Sequence, residues 1–371
     1  MAGDITTYNY VSYVWAPYGS LWRNLRRLSV VEIFSSNTIQ MVSYIWEEEI
    51  SNFVRHLFKV SANGTKSRVD LNYLFRLLAT NVMLLVVAGN RCVDEAAFYE
   101  FSRVFFPSLG TNICDFFPVL RWIGFKEIEK NMREMHRRRD EYIQNLVNEI
   151  RLRNGIIKGE KKNNPSLIEK LLSFQQEDPK FCSNDVIKSL ALALKKVREE
   201  IISHVGKERL LNESDLAKLP YLCCVVKETL RLYPPAPTLL PHYASQDCEV
   251  GGYEIPKGTM LIVNAWAIHR DPSIWEEPTK FKPERFEASF EEKEGKFLPF
   301  GLGRRACPGA TMGIRLIMLA LGAAIHSFEW ERVGPEMVDM SVDNGLTISR
   351  ARPLEAMCSP WPDFNNLLSE L

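Results

Sequence analysis

The stretch Phe300-Gly301-Leu302-Gly303-Arg304-Arg305-Ala306-Cys307-Pro308-Gly309 places one cysteine in a glycine-rich loop. The apolar run at 310–321 that follows it predicts a helix, so Cys307 lies just ahead of a helix N-terminus. The backbone N–H groups and the dipole at such an end favour an anion, which for a cysteine is the thiolate. Glycine lets the backbone approach a flat ligand closely, and a thiolate is an axial ligand of haem iron. The stretch therefore predicts a haem site, against the ordinary alternative of a buried cysteine in a turn.

The spacing of this stretch, Phe-x-x-Gly-x-Arg-x-Cys-x-Gly, resembles the haem-binding loop of the cytochrome P-450 (haem-thiolate) monooxygenases. The resemblance implies a cytochrome P-450 fold, mainly α with small β-sheets, in a truncated form. It also implies haem b as the cofactor, with iron axially ligated by the Cys307 thiolate, which favours cleavage of the O–O bond. The loop residues expected to contact haem are Phe300, Gly301, Arg305, Cys307 and Gly309.

The composition is that of an ordinary globular protein: 46% of the 371 residues are hydrophobic, 25% are charged, and the formal net charge is zero. This length is ample for a large core, and electroneutrality gives no argument for nucleic acid as a partner. The eight cysteines contain no Cys-x-x-Cys pair. Their spacing argues against a zinc site or a disulfide scaffold and favours a reducing compartment.

The N-terminus does not read as a signal peptide, and no apolar run is expected to reach the ~18 residues of a membrane helix. The family resemblance implies the cytosolic face of the endoplasmic reticulum membrane, reached through an N-terminal anchor. That anchor is expected to be missing here, together with the first helices and strands of the family. A soluble protein is the alternative expectation.

Two further motifs are expected to hold the haem propionates. Trp22 and Arg26 lie four residues apart in a helix predicted from the turn at 16–19 through Phe34, so they share one face. By resemblance, this pair sends its indole N–H and guanidinium to a propionate, and arginine binds a carboxylate as a rigid fork. His242 is expected to contact a propionate as well. The alternatives are a solvated basic helix face and an ordinary loop histidine.

A buried ion-pair network is predicted on the cysteine side of the haem. Glu228 and Arg231 share a face of a helix expected over 219–233, whose apolar flanks predict burial. A buried pair needs further partners to offset its desolvation, and Arg285 of the Pro-Glu-Arg-Phe sequence at 283–286 can supply one. Glu-x-x-Arg followed by this sequence resembles the structural triad of the family.

One part of the family pattern is missing from the sequence. The apolar stretch 185–194 changes abruptly to the charged stretch 195–202, and the Ala/Gly-Gly-x-Asp/Glu-Thr pattern of the family's central helix occurs nowhere. That acid and alcohol handle protons during oxygen activation, so no catalytic side chain is assigned. We expect residues 1–371 to form a single, incomplete domain with an internal deletion at about 194/195.

Three segments resemble plant enzymes of the isoflavone 2′-hydroxylase-like group: Ala16-Pro17-Tyr18-Gly19, Trp22-Arg23-Asn24-Leu25-Arg26-Arg27 and Pro241-His242-Tyr243-Ala244-Ser245. The resemblance implies monooxygenation of a small apolar plant metabolite by O2. Electrons are expected from NADPH through a flavoprotein reductase. The residues expected to face the substrate are Leu239, Leu240, Leu346 and Thr347.

Two other functions stay open from the sequence. A catalytically inactive truncated or splice-variant product would bind haem weakly or not at all, because the missing helix is both a wall of the core and a proton relay. An all-helical interaction module without a cofactor would keep its stability and its colour after the substitution Cys307→Ala.

Overall fold

The computed structural model describes residues 16–61, 66–89, 91, 130–138, 140–142, 144–145, 194–287, 295–331, 333–334 and 352–370. The helices in these ranges include α1 (Ser20–Leu28), α2 (Ser36–Met41), α3 (Ser43–Val60), α4 (Leu71–Ala88), α5 (Leu194–Val205), α6 (Pro220–Leu232), α7 (Ala265–Ile268), α8 (Ala310–Ser327) and α9 (Asn365–Glu370). The strands are β1 (Ser67–Asp70), β2 (His242–Tyr243), β3 (Cys248–Val250), β4 (Tyr253–Ile255), β5 (Met260–Leu261), β6 (Phe328–Glu331) and β7 (Glu355–Pro360). The predicted class, mainly α with small β-sheets, is confirmed.

Two compact units divide the chain. One comprises Met1–Ile45 with Leu77–Val186, and the other comprises Trp46–Arg76 with Ile187–Leu371. In the first unit, α1 buries the side chains of Trp22 and Leu25 and continues into a π-helical turn, Ser29–Ile33. The helix predicted through Phe34 is therefore confirmed to within one residue.

Two other stretches, 38–57 and 71–87, have the mixed apolar and polar faces that predict helices, and they meet different outcomes. The stretch 71–87 forms one helix, α4, as expected. The stretch 38–57 is divided between α2 and α3 at Val42, whose backbone departs from helical geometry with φ −99° and ψ 3°. The Ser35 side chain accepts a hydrogen bond from the Thr38 backbone N–H at 3.2 Å and thereby fixes the start of α2.

Helices α5, α6 and α8 pack together and form much of the core of the second unit. Gly322 of α8 makes their close approach possible. A Cβ atom built there would lie 2.5 Å from Leu211 Cδ2, 3.2 Å from Leu222 Cδ2 and 3.5 Å from Ile201 Cδ1. Because close-packed cores leave no room for an extra methyl group, a glycine is required at this point of the helix.

Helix α6 begins at Pro220, whose fixed φ suits the first helical position. Its next two backbone N–H groups, of Tyr221 and Leu222, donate to the carboxylate of Glu200 at 2.7 and 2.9 Å. Glu200 lies on α5, so a side chain from a neighbouring helix supplies the N-terminal cap. This arrangement fixes the start of the helix that carries Glu228 and Arg231.

Three small antiparallel sheets complete the described chain. Strand β7 lies between β1 and β6, with Val69 opposite Ala356 and Trp330 opposite Cys358. Strands β3 and β4 form the expected hairpin, since Gly251 and Gly252 both adopt positive φ, of 60° and 84°. Strands β2 and β5 pair separately, as the partners His242 and Leu261 show.

By length and composition alone, α8 could cross a membrane, since its mean hydropathy is 1.4 over 18 residues. The expectation that no apolar run reaches this length is therefore wrong for α8. However, 67% of this helix is buried inside the protein. Such burial is typical of a core helix, which passes the same test of length and hydropathy.

Candidate functional site

The ten-residue loop at 300–309, called the Cys loop below, is shaped by its own backbone. Gly301 and Gly303 both adopt a φ of 70°, which side chains disfavour. The Cys307 N–H donates to the Phe300 carbonyl at 2.8 Å and closes the loop. The Gly313 N–H donates to the Gly309 carbonyl at 2.8 Å, which is the first backbone bond of α8. Cys307 thus lies in a closed turn directly before a long helix, as the sequence predicts.

The cysteines of the described chain differ in their surroundings. Burial raises the pKa of the Cys224 thiol to about 11 and that of Cys358 to about 12. These two side chains are protonated at neutral pH and are poor metal ligands. Cys307 is half-buried, not in a disulfide, and adjacent to the positive end of the α8 dipole. Among the described cysteines, Cys307 is therefore the one whose setting suits a thiolate ligand.

Arg305 of the Cys loop acts electrostatically on His242. The pKa of His242 is lowered, first by burial and second by the positive charge of Arg305. His242 belongs to β2, where it is held opposite Leu261 of β5. Two groups that repel each other when both are cationic form a favourable site for a carboxylate. A flat, anionic cofactor whose metal accepts sulfur, such as haem, fits this set of residues.

Trp22 and Arg26 occupy successive turns of α1 in the first unit. The Trp22 side chain is 4% exposed, whereas Arg26 is half-buried. Tyr18 lies against Trp22, with ring centroids 5.3 Å apart. The Arg23 guanidinium lies 5.7 Å from the Tyr18 ring centroid. The expected common face of Trp22 and Arg26 is present, and their role towards haem stays a prediction.

The Glu228 carboxylate binds two arginines in the second unit. Arg231 donates from Nε to Oε2 at 2.7 Å and from Nη2 to Oε1 at 2.9 Å. Arg285 donates from Nε to Oε1 at 3.0 Å, and the Lys282 backbone N–H adds a fourth bond at 2.8 Å. Glu228 and Arg231 are fully buried, and Arg285 is 9% exposed. The structure thus brings these three residues together in the arrangement expected from the sequence.

The two arginines also bind backbone carbonyl groups of the segment at 269–280. Arg231 Nη1 donates to the carbonyls of His269 at 2.5 Å and Pro278 at 2.8 Å. Arg285 Nη1 donates to the Glu276 carbonyl at 2.9 Å. These bonds offset the cost of burying three charges. They also hold this segment in a fixed position against α6.

Sequence reasoning missed one residue of this region, His269. Its fully buried ring bonds to the Arg231 carbonyl through Nδ1 at 3.0 Å and accepts from the Leu298 N–H through Nε2 at 2.8 Å. Leu298 lies two residues before the Cys loop. The available signal was a single histidine in the segment Ile268-His269-Arg270-Asp271, which does not reveal partners distant in sequence.

The predicted substrate-facing residues fall into two groups. Leu239 adopts a φ of 48°, which is unusual for a residue with a side chain. Leu240 follows it and is 37% exposed. Both lie in the segment that leads to His242. Leu346 and Thr347 lie outside the described residues, as do residues 185–193 of the apolar stretch.

Comparison with known proteins gives the family. The sequence model of the cytochrome P450 family matches residues 12–194 and residues 192–354. The chain belongs to the cytochrome P450 family. The haem-thiolate monooxygenase class and the fold predicted from the Cys loop are thereby confirmed.

Several curated plant proteins are similar over almost the whole chain. Cytochrome P450 81Q32 of Catharanthus roseus is 39% identical over 99% of this chain and 79% of its own length. The (+)-piperitol/(+)-sesamin synthase of Sesamum radiatum is 39% identical over 97% of this chain and 76% of its own length. An isoflavone 2′-hydroxylase of Glycyrrhiza echinata is 35% identical over all of this chain and 80% of its own length. The predicted likeness to plant isoflavone hydroxylases is confirmed.

These relatives establish a cytochrome P450 monooxygenase of plant specialised metabolism, a family that holds haem and uses O2 and a redox partner. The alignment to the Glycyrrhiza enzyme spans 406 positions, whereas this chain has 371 residues, so at least 35 positions of that alignment face gaps. The two segments matched by the family model meet at residues 192–194. This point coincides with the change in sequence character between Leu194 and Lys195.

Proposed function

We propose that this P450 chain binds haem b through the Cys307 thiolate and hydroxylates a small apolar plant specialised metabolite. The observation that carries the proposal is the position of Cys307, in a closed turn before α8 with Arg305 and His242 nearby. When bound, haem supplies the activation of O2 and the insertion of one oxygen atom into a C–H bond. Residues of the chain bind the haem, orient it and support the Cys loop.

The chemistry of each side chain determines the role that we assign to it. Cys307 supplies an anionic sulfur as the iron ligand, favoured by the N-terminal dipole of α8. Arg305 and His242 bind propionate, and burial, followed by the charge of Arg305, lowers the pKa of His242 and favours its neutral, hydrogen-bonding form. We assign Trp22 and Arg26 to a propionate as well, since they share one face of α1. Glu228, Arg231 and Arg285 hold the structure behind the Cys loop.

The substrate and the electron source follow from the family and from the apolar surface near His242. Leu240, Leu261 and Ile262 are exposed around the β2–β5 pair, which suits a small apolar substrate. We place Leu239, Leu240, Leu346 and Thr347 at the substrate. We infer that NADPH supplies the electrons through a flavoprotein reductase, at the cytosolic face of the endoplasmic reticulum. Co-fractionation of the tagged chain with microsomes tests the location.

A second function, an inactive product with weak or no haem binding, is favoured by a different observation. The sequence contains no acid–alcohol pattern for oxygen activation, and the two segments matched by the family model meet at 192–194. The alignment to the Glycyrrhiza enzyme is at least 35 positions longer than the chain, which supports the proposal of an internal deletion at about 194/195. An exon between the codons of Leu194 and Lys195 that restores this pattern would identify the chain as a splice or annotation variant.

The spectrum of the reduced, carbon-monoxide-bound protein separates the two functions. The purified chain, supplied with hemin, is expected to give the Soret band of thiolate-ligated haem, and Cys307→Ser is expected to remove it. Cys248→Ser is the matched control, because Cys248 is exposed on β3. Absence of haem uptake by the wild-type chain, or a histidine-type band, would favour the inactive product. A band unchanged in Cys307→Ser would overturn the assigned ligand.

A further inference from the structure

The imidazole of His269 forms two hydrogen bonds, accepting in one of them and donating in the other. A backbone N–H can donate and cannot accept, so the bond from Leu298 to Nε2 at 2.8 Å requires a lone pair on Nε2. The Arg231 carbonyl can accept and cannot donate, so the bond at 3.0 Å requires a proton on Nδ1. The ring is thus a neutral imidazole in one defined tautomer. In agreement, burial lowers the pKa of His269 to about 4.

These two bonds connect α6 to the Cys loop. A second hydrogen bond joins the same two residues, since Arg231 Nη1 donates to the His269 carbonyl at 2.5 Å. On the other side, the Leu298 carbonyl accepts from the Gly301 N–H at 3.1 Å. The neighbouring Phe300 carbonyl accepts from the Cys307 N–H at 2.8 Å. Short backbone steps therefore link the histidine ring to the backbone of the cysteine.

Aromatic rings hold the imidazole in the orientation that these bonds need. Phe297 stacks on it, with ring centroids 5.8 Å apart and an interplanar angle of 28°. Trp275 meets it edge-on at 6.4 Å and 88°. The Trp275 indole N–H is itself fixed by the Ile268 carbonyl at 3.0 Å. A side chain that contacts two aromatic rings and is hydrogen-bonded at both nitrogens is suited to setting the position of a loop.

We infer that His269 is a positioning residue, which fixes the start of the Cys loop to α6 through its neutral ring and thereby holds the sulfur of Cys307 in place. The role in haem ligation rests on the proposed function, whereas the role in ordering the loop does not. A histidine that merely fills space would need neither nitrogen to bond in a defined direction. His269 therefore acts through the hydrogen bonds of its ring and not through its volume.

Three substitutions separate the effect of the hydrogen bonds of His269 from the effect of its volume. In His269→Gln, the amide oxygen can reach the position of Nε2 and accept from Leu298. In His269→Asn, the shorter amide can donate to the Arg231 carbonyl but does not reach Leu298. His269→Phe keeps an aromatic ring and loses both bonds. The matched control is His326→Phe, because His326 is also fully buried and bonds through one ring nitrogen to the Gly206 carbonyl at 2.7 Å.

The first measurement is hydrogen exchange of the Leu298 amide and the Cys-loop peptide in the full chain without haem. Exchange in His269→Phe and His269→Asn is expected to be at least about fivefold faster than in the wild type, since a buried hydrogen bond is lost. His269→Gln is expected to restore most of the protection, and His326→Phe to leave it unchanged. Equal exchange in the Gln, Asn and Phe variants, or no change in any of them, would overturn the inference.

The second measurement is the fraction of thiolate-type band in the reduced, carbon-monoxide-bound protein. The fraction is expected to fall in the order wild type, His269→Gln, His269→Asn, His269→Phe, while His326→Phe matches the wild type. A wild-type chain that takes up no haem would overturn the proposed function, and hydrogen exchange would still decide the role of His269. A thiolate band of equal fraction in all four proteins would show that the ring does not hold the sulfur.

Discussion

Two buried polar clusters in the second unit differ in how completely their hydrogen bonds are made. The triad cluster consists of Glu228, Arg231, Arg285 and His269, behind the Cys loop. The C-terminal cluster consists of Arg198, His326, Ser327, Trp361 and Asn365, where α5 meets the end of α8 and the start of α9. Both bring an arginine and a histidine out of solvent. Burial of such groups is tolerated when each polar atom finds a partner.

The triad cluster meets that requirement. Both Glu228 oxygens accept hydrogen bonds, and all the guanidinium nitrogens of Arg231 and Arg285 donate. His269 uses both of its ring nitrogens. A network of this kind specifies one arrangement, because any displacement breaks several bonds together.

The C-terminal cluster leaves several of its buried polar atoms without a hydrogen-bond partner among the described residues. Nine buried side-chain polar atoms have no hydrogen-bond partner within the described part of the chain, and six of them belong to this cluster. They include Nε and Nη2 of Arg198, Nδ1 of His326 and Nε1 of Trp361. The Arg198 guanidinium lies over the Trp361 ring, 4.0 Å from its centroid, and its Nη2 forms a long ion pair with Asp363 Oδ1 at 3.5 Å that does not count as a hydrogen bond. An unpaired buried group of this kind costs about 1–3 kcal/mol.

The difference between the clusters follows their place in the sequence. The triad cluster is built from segments in which the P450 motifs are complete. Arg198 lies in the first turns of α5, directly after residue 194, where the first segment matched by the family model ends. The hydrogen bonds on the cysteine side of the site are thus complete, whereas the C-terminal cluster, to which Arg198 belongs, leaves polar atoms without a partner in the part of the chain that the structure describes.

The largest effect is expected from the triad cluster. Arg231→Met removes the main partner of a buried carboxylate and leaves the backbone carbonyls of His269 and Pro278 without this donor. Breaking a buried pair from one side costs about 3–5 kcal/mol. The free energy of unfolding, from urea titration followed by circular dichroism, is expected to fall by that amount.

The control for this substitution is an exposed arginine with carboxylate partners. Arg137→Met removes the ion pairs of Arg137 with Glu134 and Glu141, all of which are exposed. Surface pairs contribute about 0–1 kcal/mol, so little change is expected. Equal losses in Arg231→Met and Arg137→Met would contradict the view that the triad cluster holds the Cys loop.

The sequence predicts the parts of the site that depend on local spacing. The fixed positions from Phe300 to Gly309 define the Cys loop, and the spacing of Glu228 and Arg231 defines their common helix face. Arg285 could be assigned as a partner because its Pro-Glu-Arg-Phe sequence resembles a known pattern. These inferences need no knowledge of how distant segments meet.

The contacts that the sequence does not predict join segments far apart along the chain. The partners of the His269 ring, Arg231 and Leu298, lie 38 and 29 residues away. The Glu200 cap of α6 is 21 residues from Tyr221. No periodicity or local motif encodes such pairs, because they depend on how helices pack. The interruption of the helix at Val42 is local, since the backbone of this one residue departs from helical geometry, and no glycine or proline marks it in the sequence.

Each cluster contains one histidine whose neutral form is favoured in the folded state. Burial, and to a smaller extent nearby arginines, together lower the pKa of His269 and of His326 to about 4. In the unfolded chain, each histidine takes up a proton near pH 6.5. The contribution of the two neutral histidines to the free energy of unfolding is therefore fully present above that pH. This contribution is lost progressively as the pH falls towards about 4, by on the order of 3 kcal/mol for each histidine.

Urea unfolding at pH 7.5 and pH 5 measures this dependence. His326→Gln keeps a donor for the Gly206 carbonyl and removes one titrating group, so the loss of stability on acidification is expected to be smaller than in the wild type. An unchanged pH dependence in this variant would mean that His326 does not stay neutral in the folded protein.

A smaller effect is expected where the helices of the two clusters pack together. Gly322→Ala places a methyl group 2.5 Å from Leu211 Cδ2, and Leu211 is itself buried. Overpacking costs about 1–3 kcal/mol, against a gain in helix propensity of about 0.5–1 kcal/mol. A net loss of about 1 kcal/mol in urea titration is expected. Gly313→Ala is the control, since nothing lies within 4 Å of its added Cβ. A loss in Gly313→Ala as large as in Gly322→Ala would mean that crowding is not the cause.

The smallest effect is expected from Arg198→Met, which makes the sharpest contrast with Arg231→Met. The substitution removes a guanidinium whose Nε has no hydrogen-bond partner within the described ranges, and it gives up a ring contact of about 0.5–1 kcal/mol and a long ion pair from Nη2 to Asp363 Oδ1 at 3.5 Å. Asp363 keeps its ion pair with Lys207 at 2.5 Å, so no carboxylate is left unpaired. Urea titration is therefore expected to show a stability within about 1 kcal/mol of the wild type, or slightly above it. A loss as large as that of Arg231→Met would show that Arg198 is as well bonded as Arg231, and the distinction between the two clusters would not hold.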